Sequence, residues 1–249
     1  MNHFLRSFIV FTFAISVSGH SLAADILYIG DSHSYGGFGV AVDAGLRKIK
    51  LSGDVTPKVV SQAACGSATR DWLKSKGPFT KCGLRKCDAT AICETKNSGE
   101  LDSLDSLLKT ESPKVVIVAL GSNMLKARKI GDVLGDIKEM GQRISAKGGA
   151  CFWVGPPQAT LSFMPEGRFL EIENKMSLAA AEASCRYISS VNKTDRNNLN
   201  DPMGLHYTAK HGQAWGEKVM VELAPLVGGA LSNNSGDKSH RPANHLNVK

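Results

Sequence analysis

Apolar positions along the chain fall into two alternating kinds of segment. Short, nearly continuous apolar runs occupy 25–29, 58–61, 114–120, 150–155 and 185–191. Between them, stretches with apolar residues three and four apart cover 37–50, 68–74, 103–109, 130–146, 168–184 and 209–226. The first kind predicts strands buried on both faces, and the second predicts amphipathic helices. Strand alternating with helix predicts a parallel sheet joined by right-handed crossovers, in a single three-layer α/β/α domain. Ligands in such domains sit beyond the carboxyl ends of the strands, so polar motifs at those ends are the candidates for chemistry.

Three stretches stand outside this alternation. Residues 1–23 carry Arg6, the apolar run Phe8 to Ile15, and small residues Ser21 and Ala23 at the last positions. That pattern predicts a secretory signal peptide, whose apolar run is too short to span a bilayer. Its removal leaves a mature domain at 24–231 with no stable membrane insertion expected. Residues 77–99 form a Gly- and Lys-rich, cysteine-bearing insertion after the second strand. Residues 232–249 are rich in Asn, Ser, Lys and His and predict a disordered tail.

Charge and cysteines refine the picture. The formal net charge is +7, or +6 once Arg6 is gone. The basic residues are dispersed, with only short runs at 74–76 and 126–129. A basic exported protein suits an anionic cell-wall or surface polymer as partner. Zinc-finger spacing and a basic-aromatic stripe are both missing, which argues against nucleic acid. The six cysteines are Cys65, Cys82, Cys87, Cys93, Cys151 and Cys185. An even count in an oxidising compartment predicts disulfides. Cys151 and Cys185 each open a strand-like run, so they come within bridging reach if those strands are parallel neighbours. The pairing of the others stays open. No histidine accompanies the cysteine cluster, so neither a metal nor a cofactor is expected.

The candidate chemistry begins at Asp25-Ile26-Leu27-Tyr28-Ile29-Gly30-Asp31-Ser32-His33. A buried strand here ends at a tight turn that lifts the Ser32 hydroxyl to the sheet edge, ahead of a helix N-terminus. A nucleophile for acyl transfer needs both the exposure and the nearby N–H groups. Gly66 follows the second strand, Asn123 follows the third in Gly121-Ser122-Asn123, and His206 follows the fifth.

In their order Ser, Gly, Asn, His, these blocks resemble the SGNH (GDSL-like) hydrolase family across nearly the whole mature domain. The resemblance implies a flavodoxin-like five-stranded sheet and a serine ester hydrolase. It implies Ser32 as nucleophile, His206 as its general base, and an oxyanion hole of the Ser32 N–H, the Gly66 N–H and the Asn123 amide. One departure stands out: Met203 occupies the place, three residues before His206, where the family carries its orienting acid. Asp201, five residues before, is the candidate third member; the alternative is a Ser-His dyad with a carbonyl orienting the ring. His33, beside the nucleophile, is expected to point away into a polar contact.

Together these features predict an exported enzyme, periplasmic or secreted, removing a short O-acyl group such as acetyl from a small-molecule or glycan ester. Two alternatives remain open: an O-acyltransferase acting on a surface or cell-wall sugar, and a non-catalytic carbohydrate-binding module on the same fold. An α/β-hydrolase would want G-x-S-x-G, but Ser34 stands at its second glycine.

Overall fold

The computed structural model describes residues 23–126, 130–161, 167–199 and 201–235. The predicted signal segment up to residue 22, positions 127–129 of the short basic run and the tail from 236 lie outside the described residues.

Five strands run parallel at the centre: β1 (Ile26–Gly30), β2 (Val59–Ala64), β7 (Val115–Ala119), β8 (Ala150–Val154) and β9 (Cys185–Ile188). Their spatial order is β2-β1-β7-β8-β9, the flavodoxin-like order, whose switch point lies between β1 and β7. The sheet is larger than the five strands expected. Within the insertion, β4 (Leu84–Cys87) and β5 (Cys93–Lys96) add antiparallel to the β2 edge, giving seven strands in the order β5-β4-β2-β1-β7-β8-β9. A second, two-stranded sheet pairs β3 (Phe79–Thr80) with β6 (Gly99–Glu100). The insertion's sequence offered no apolar period, because its strands pair at an edge and β5 is exposed throughout.

Side chains alternate across the central strands, as a pleated sheet requires. Leu27, Ile29, Val116, Val118 and Trp153 enter one core layer. On that side lie α3 (Thr69–Leu73), α4 (Leu104–Glu111), α5 (Ile130–Ala146) and α6 (Arg168–Glu182). Ile26, Tyr28, Val115, Ile117 and Phe152 enter the other layer. That layer is closed by α2 (Gly37–Leu46) and α7 (Ala209–Ser235), through Phe38, Val42, Leu46, Trp215, Val219 and Leu223. α7 runs beyond the expected end at Leu226 and through Pro225, so residues 232–235, read from the sequence as tail, are helical.

The α2–α7 contact decides where the two ends of the domain meet. A Cβ on Gly37 would lie 2.1 Å from the Ala209 carbonyl oxygen, and one on Gly216 would lie 2.8 Å from the Phe38 oxygen. Both distances are too short for any side chain, so glycine lets the backbones touch. Phe38 and Trp215 then stack with ring centroids 3.7 Å apart. The turn before α2 carries Ser32, and the loop before α7 carries His206, so this close crossing brings the two residues face to face.

All six cysteines are paired. Cys151 bridges Cys185, which is its direct partner in the β8–β9 register. Cys65 bridges Cys82, and Cys87 bridges Cys93 across the β4–β5 hairpin.

Candidate active site

Ser32 opens the short helix α1 (Ser32–Tyr35) directly beyond β1. The turn is tight: a Cβ on Gly30 would fall 1.9 Å from Ser34 Oγ. Ser34 is buried and accepts a 2.8 Å hydrogen bond from the Tyr28 hydroxyl, which anchors the turn to the strand. Asp31 caps α1 by accepting the His33 N–H at 3.0 Å. Its own N–H donates to the Ala119 carbonyl at the end of β7, at 3.4 Å. Burial raises the Asp31 pKa to about 6, against the opposing pull of the His33 N–H, the His206 charge and the nearby backbone at Ser122 and Gly121. Asp31 therefore ties the Ser32 turn to the end of β7, just ahead of the loop that carries Asn123. Sequence reasoning missed this role; the signal in the chain was an acid directly ahead of a helix N-terminus.

On the opposite wall, the loop at 201–208 carries His206. Ser32 Oγ and His206 Nε2 are 3.0 Å apart, and His206 Nδ1 and Asp201 Oδ2 are 2.5 Å apart. Asp201 reaches the ring despite its unusual spacing because the loop bulges. The Gly204 N–H donates to the Asp201 carbonyl at 3.0 Å, and the Leu205 N–H donates to Asp201 Oδ1 at 2.7 Å. Gly204 has φ +66 and its carbonyl accepts the Thr160 N–H at 2.9 Å, where a Cβ would strike Thr160. This left-handed glycine takes up the two extra residues, and Met203 swings outward, half exposed. Partial burial pushes the Asp201 pKa up, but the Leu205 N–H and the His206 ring, backbone and charge outweigh it, so the carboxyl stays below its ordinary value. An ionised Asp201 accepts from Nδ1–H, which leaves Nε2 as an acceptor facing the Ser32 hydroxyl.

Gly66 and Asn123 converge on one another. Gly66 adopts φ +79 in the turn after β2. Asn123 donates one N–H of its amide to the Ser67 carbonyl at 3.0 Å, which leaves its second N–H for another acceptor. Among the described residues, no hydrogen bond engages the backbone N–H of Ser32 or of Gly66.

His33 departs from expectation. It is buried, and its Nε2 finds no partner among the described residues. Its ring lies 5.2 Å from the His206 ring and edge-on to Trp215 at 5.3 Å. Burial first, and then the nearby His206 charge, lower its pKa to about 3. It is a neutral packing group behind His206 and makes no polar contact through Nε2 among the described residues.

Comparison with known proteins points the same way at the level of the fold. No family model matches the chain, and no curated protein matches it. Solved structures do match. A peptidoglycan O-acetylesterase is 13% identical with a TM-score of 0.53, covering 84% of this chain and 93% of that one. A candidate SGNH hydrolase from Slackia heliotrinireducens is 16% identical with a TM-score of 0.55, covering 80% and 98%. A psychrotrophic esterase from Pseudoalteromonas sp., captured inhibited by monoethylphosphonate, is 14% identical with a TM-score of 0.53, covering 81% and 96%. Agreement across most of both chains establishes that this chain has the three-layer fold of the SGNH hydrolases and esterases.

Proposed function

We propose that the protein is an exported serine esterase that removes a short O-acyl group, such as acetyl, from a carbohydrate. The observation that carries the reading is the continuous chain from Ser32 Oγ through His206 to Asp201, at 3.0 Å and 2.5 Å. In this mechanism Ser32 Oγ attacks the ester carbonyl carbon while His206 Nε2 takes the hydroxyl proton. Asp201 holds the Nδ1 proton and stabilises the imidazolium. The carbonyl oxygen, now an anion, accepts from the Ser32 and Gly66 N–H groups and the free N–H of Asn123, donors worth roughly 3–4 kcal/mol each. His206 then gives its proton to the departing sugar oxygen. Water, deprotonated by the same nitrogen, releases the acid and restores Ser32.

Two further observations support the setting. The pairing of all six cysteines fits an oxidising compartment, periplasmic or extracellular. A peptidoglycan O-acetylesterase among the structural neighbours fits an O-acetylated glycan as substrate.

The test is a series of p-nitrophenyl esters of rising acyl length, together with labelling by a phosphonate. Turnover should be greatest for acetate, and label should attach to Ser32. Ser32→Ala should lose both while keeping the wild-type melting temperature. Turnover that requires an added sugar acceptor would instead identify an acyltransferase. Failure of both hydrolysis and labelling would leave a binding module.

A further inference from the structure

Beside the candidate site lies an open groove of about 400 Å³, lined by Tyr35 on α1 and by Thr95, Lys96, Asn97 and Ser98 at the end of β5. Its size falls within the roughly 300–1,000 Å³ of small-molecule sites. Three observations tie it to the chemistry. Tyr35 stands three residues after Ser32 on the same helical turn, a spacing that puts both on one side of α1. The insertion's backbone presses on the tyrosine ring, since a Cβ on Gly83 would lie 2.8 Å from Tyr35 Cζ. Gly83 in turn accepts the Cys65 N–H at 2.9 Å, and its neighbour Cys82 is bonded to Cys65. The stretch of insertion that touches the groove's tyrosine is thus fastened, covalently and by hydrogen bond, to the turn that carries Gly66.

The lining also defines a ligand class. No aliphatic side chain contributes, so the groove offers nothing to a long acyl tail. Lys96 is paired with Glu94 at 2.6 Å, so its charge is balanced locally and an anion gains little. What remains is one aromatic ring and an array of hydroxyl and amide groups. That combination suits a ligand with an apolar face and a rim of hydroxyls.

We propose that this groove is a saccharide subsite, in which Tyr35 and the Thr95–Ser98 segment hold the sugar next to the one whose ester faces Ser32. The proposal rests on the esterase reading for its substrate, but its test does not depend on turnover. Ser32→Ala protein is titrated with xylohexaose and with chitohexaose, followed by amide chemical shifts. At least one should bind with millimolar affinity and shift the resonances of Tyr35 and Thr95–Ser98. Tyr35→Ala, and separately the exposed-loop double variant Thr95→Ala/Asn97→Ala, should weaken that binding about tenfold, with Tyr35→Phe retaining it. In the active enzyme the ratio of kcat/KM for acetylated xylo-oligosaccharide to that for p-nitrophenyl acetate should fall by about tenfold in the same variants. Binding by neither saccharide, or binding that both groove variants leave intact, overturns the subsite. Absence of any ester turnover in the wild type, with saccharide binding retained at the groove, overturns the esterase reading alone.

Discussion

The two walls of the candidate site are held by opposite means. The β1–α1 turn sits on a strand buried along its whole length, and its position follows from apolar packing, glycine contacts and the buried hydrogen bonds of Ser34 and Asp31. The insertion at 77–99 contributes little to either core layer, and β5 is exposed from end to end. It keeps its shape through Cys65–Cys82, Cys87–Cys93 and the ladder to β2. Packing sets the geometry where angles of hydrogen bonds matter to the chemistry. Covalent closure suffices where a surface has only to stay in place.

The strongest way to break this contrast is at the packed wall, where small chemical changes should have large effects. Asp201→Asn should lower kcat for p-nitrophenyl acetate by about 10²–10⁴, because an amide can favour the wrong His206 tautomer while the fold stays intact. A loss under about tenfold in both Asp201→Asn and Asp201→Ala would show Ser32 and His206 working as a dyad. Next in size is Asn123→Ala. Losing a donor to the oxyanion should cost about 10²–10³ in kcat with KM nearly unchanged; steady-state kinetics showing a change in KM alone would assign Asn123 to substrate positioning.

At the stapled wall the expected signature is stability. Cys65 and Cys82 are 17 positions apart in the chain, so Cys65→Ser/Cys82→Ser should destabilise by about 3 kcal/mol on the chain-entropy estimate, read from urea unfolding. Because this staple also holds the Gly66 turn, activity should fall more than in Cys87→Ser/Cys93→Ser. Equal activity in the two double mutants would mean that packing alone sets the turn.

The smallest effect sharpens the packed wall further. His33, depressed to about 3, stays neutral in the fold while the unfolded chain takes up a proton below its ordinary 6.5, so its contribution to stability rises with pH across that interval. Asp31, raised to about 6, keeps a proton in the fold that the unfolded chain has lost above 3.8, so its contribution falls with pH. Between about pH 4 and 6 the two slopes, each near 1.4 kcal/mol per pH unit, oppose one another. Relative to wild type, His33→Phe should lose stability as pH rises through this window, and Asp31→Asn should gain it. Urea midpoints at pH 4, 5 and 6 that run parallel in all three proteins would refute the assignment.

How much of this was legible in the sequence differs from residue to residue. Continuous apolar runs identified all five parallel strands, because a strand buried on both faces has no other way to satisfy water. Ser32, Gly66, Asn123 and His206 could be named as candidates because each follows such a strand and because their order resembles that of the SGNH hydrolases. The bond between Cys151 and Cys185 follows from their opening neighbouring strands in register. The β4–β5 hairpin was not legible, since an exposed edge leaves hydrophobic periodicity almost no trace.

Sequence by itself therefore determined the layers, the strand ends and the residue types that meet there, since local burial and turn chemistry are written in neighbouring positions. Tertiary structure alone decided how Asp201 reaches His206 around the left-handed Gly204. It also decided that Asp31 joins the Ser32 turn to the end of β7, and that Tyr35 faces the insertion. Those relations depend on distances between segments far apart in the chain, and only the close crossing of α2 and α7 and the stapling of the insertion make such distances short.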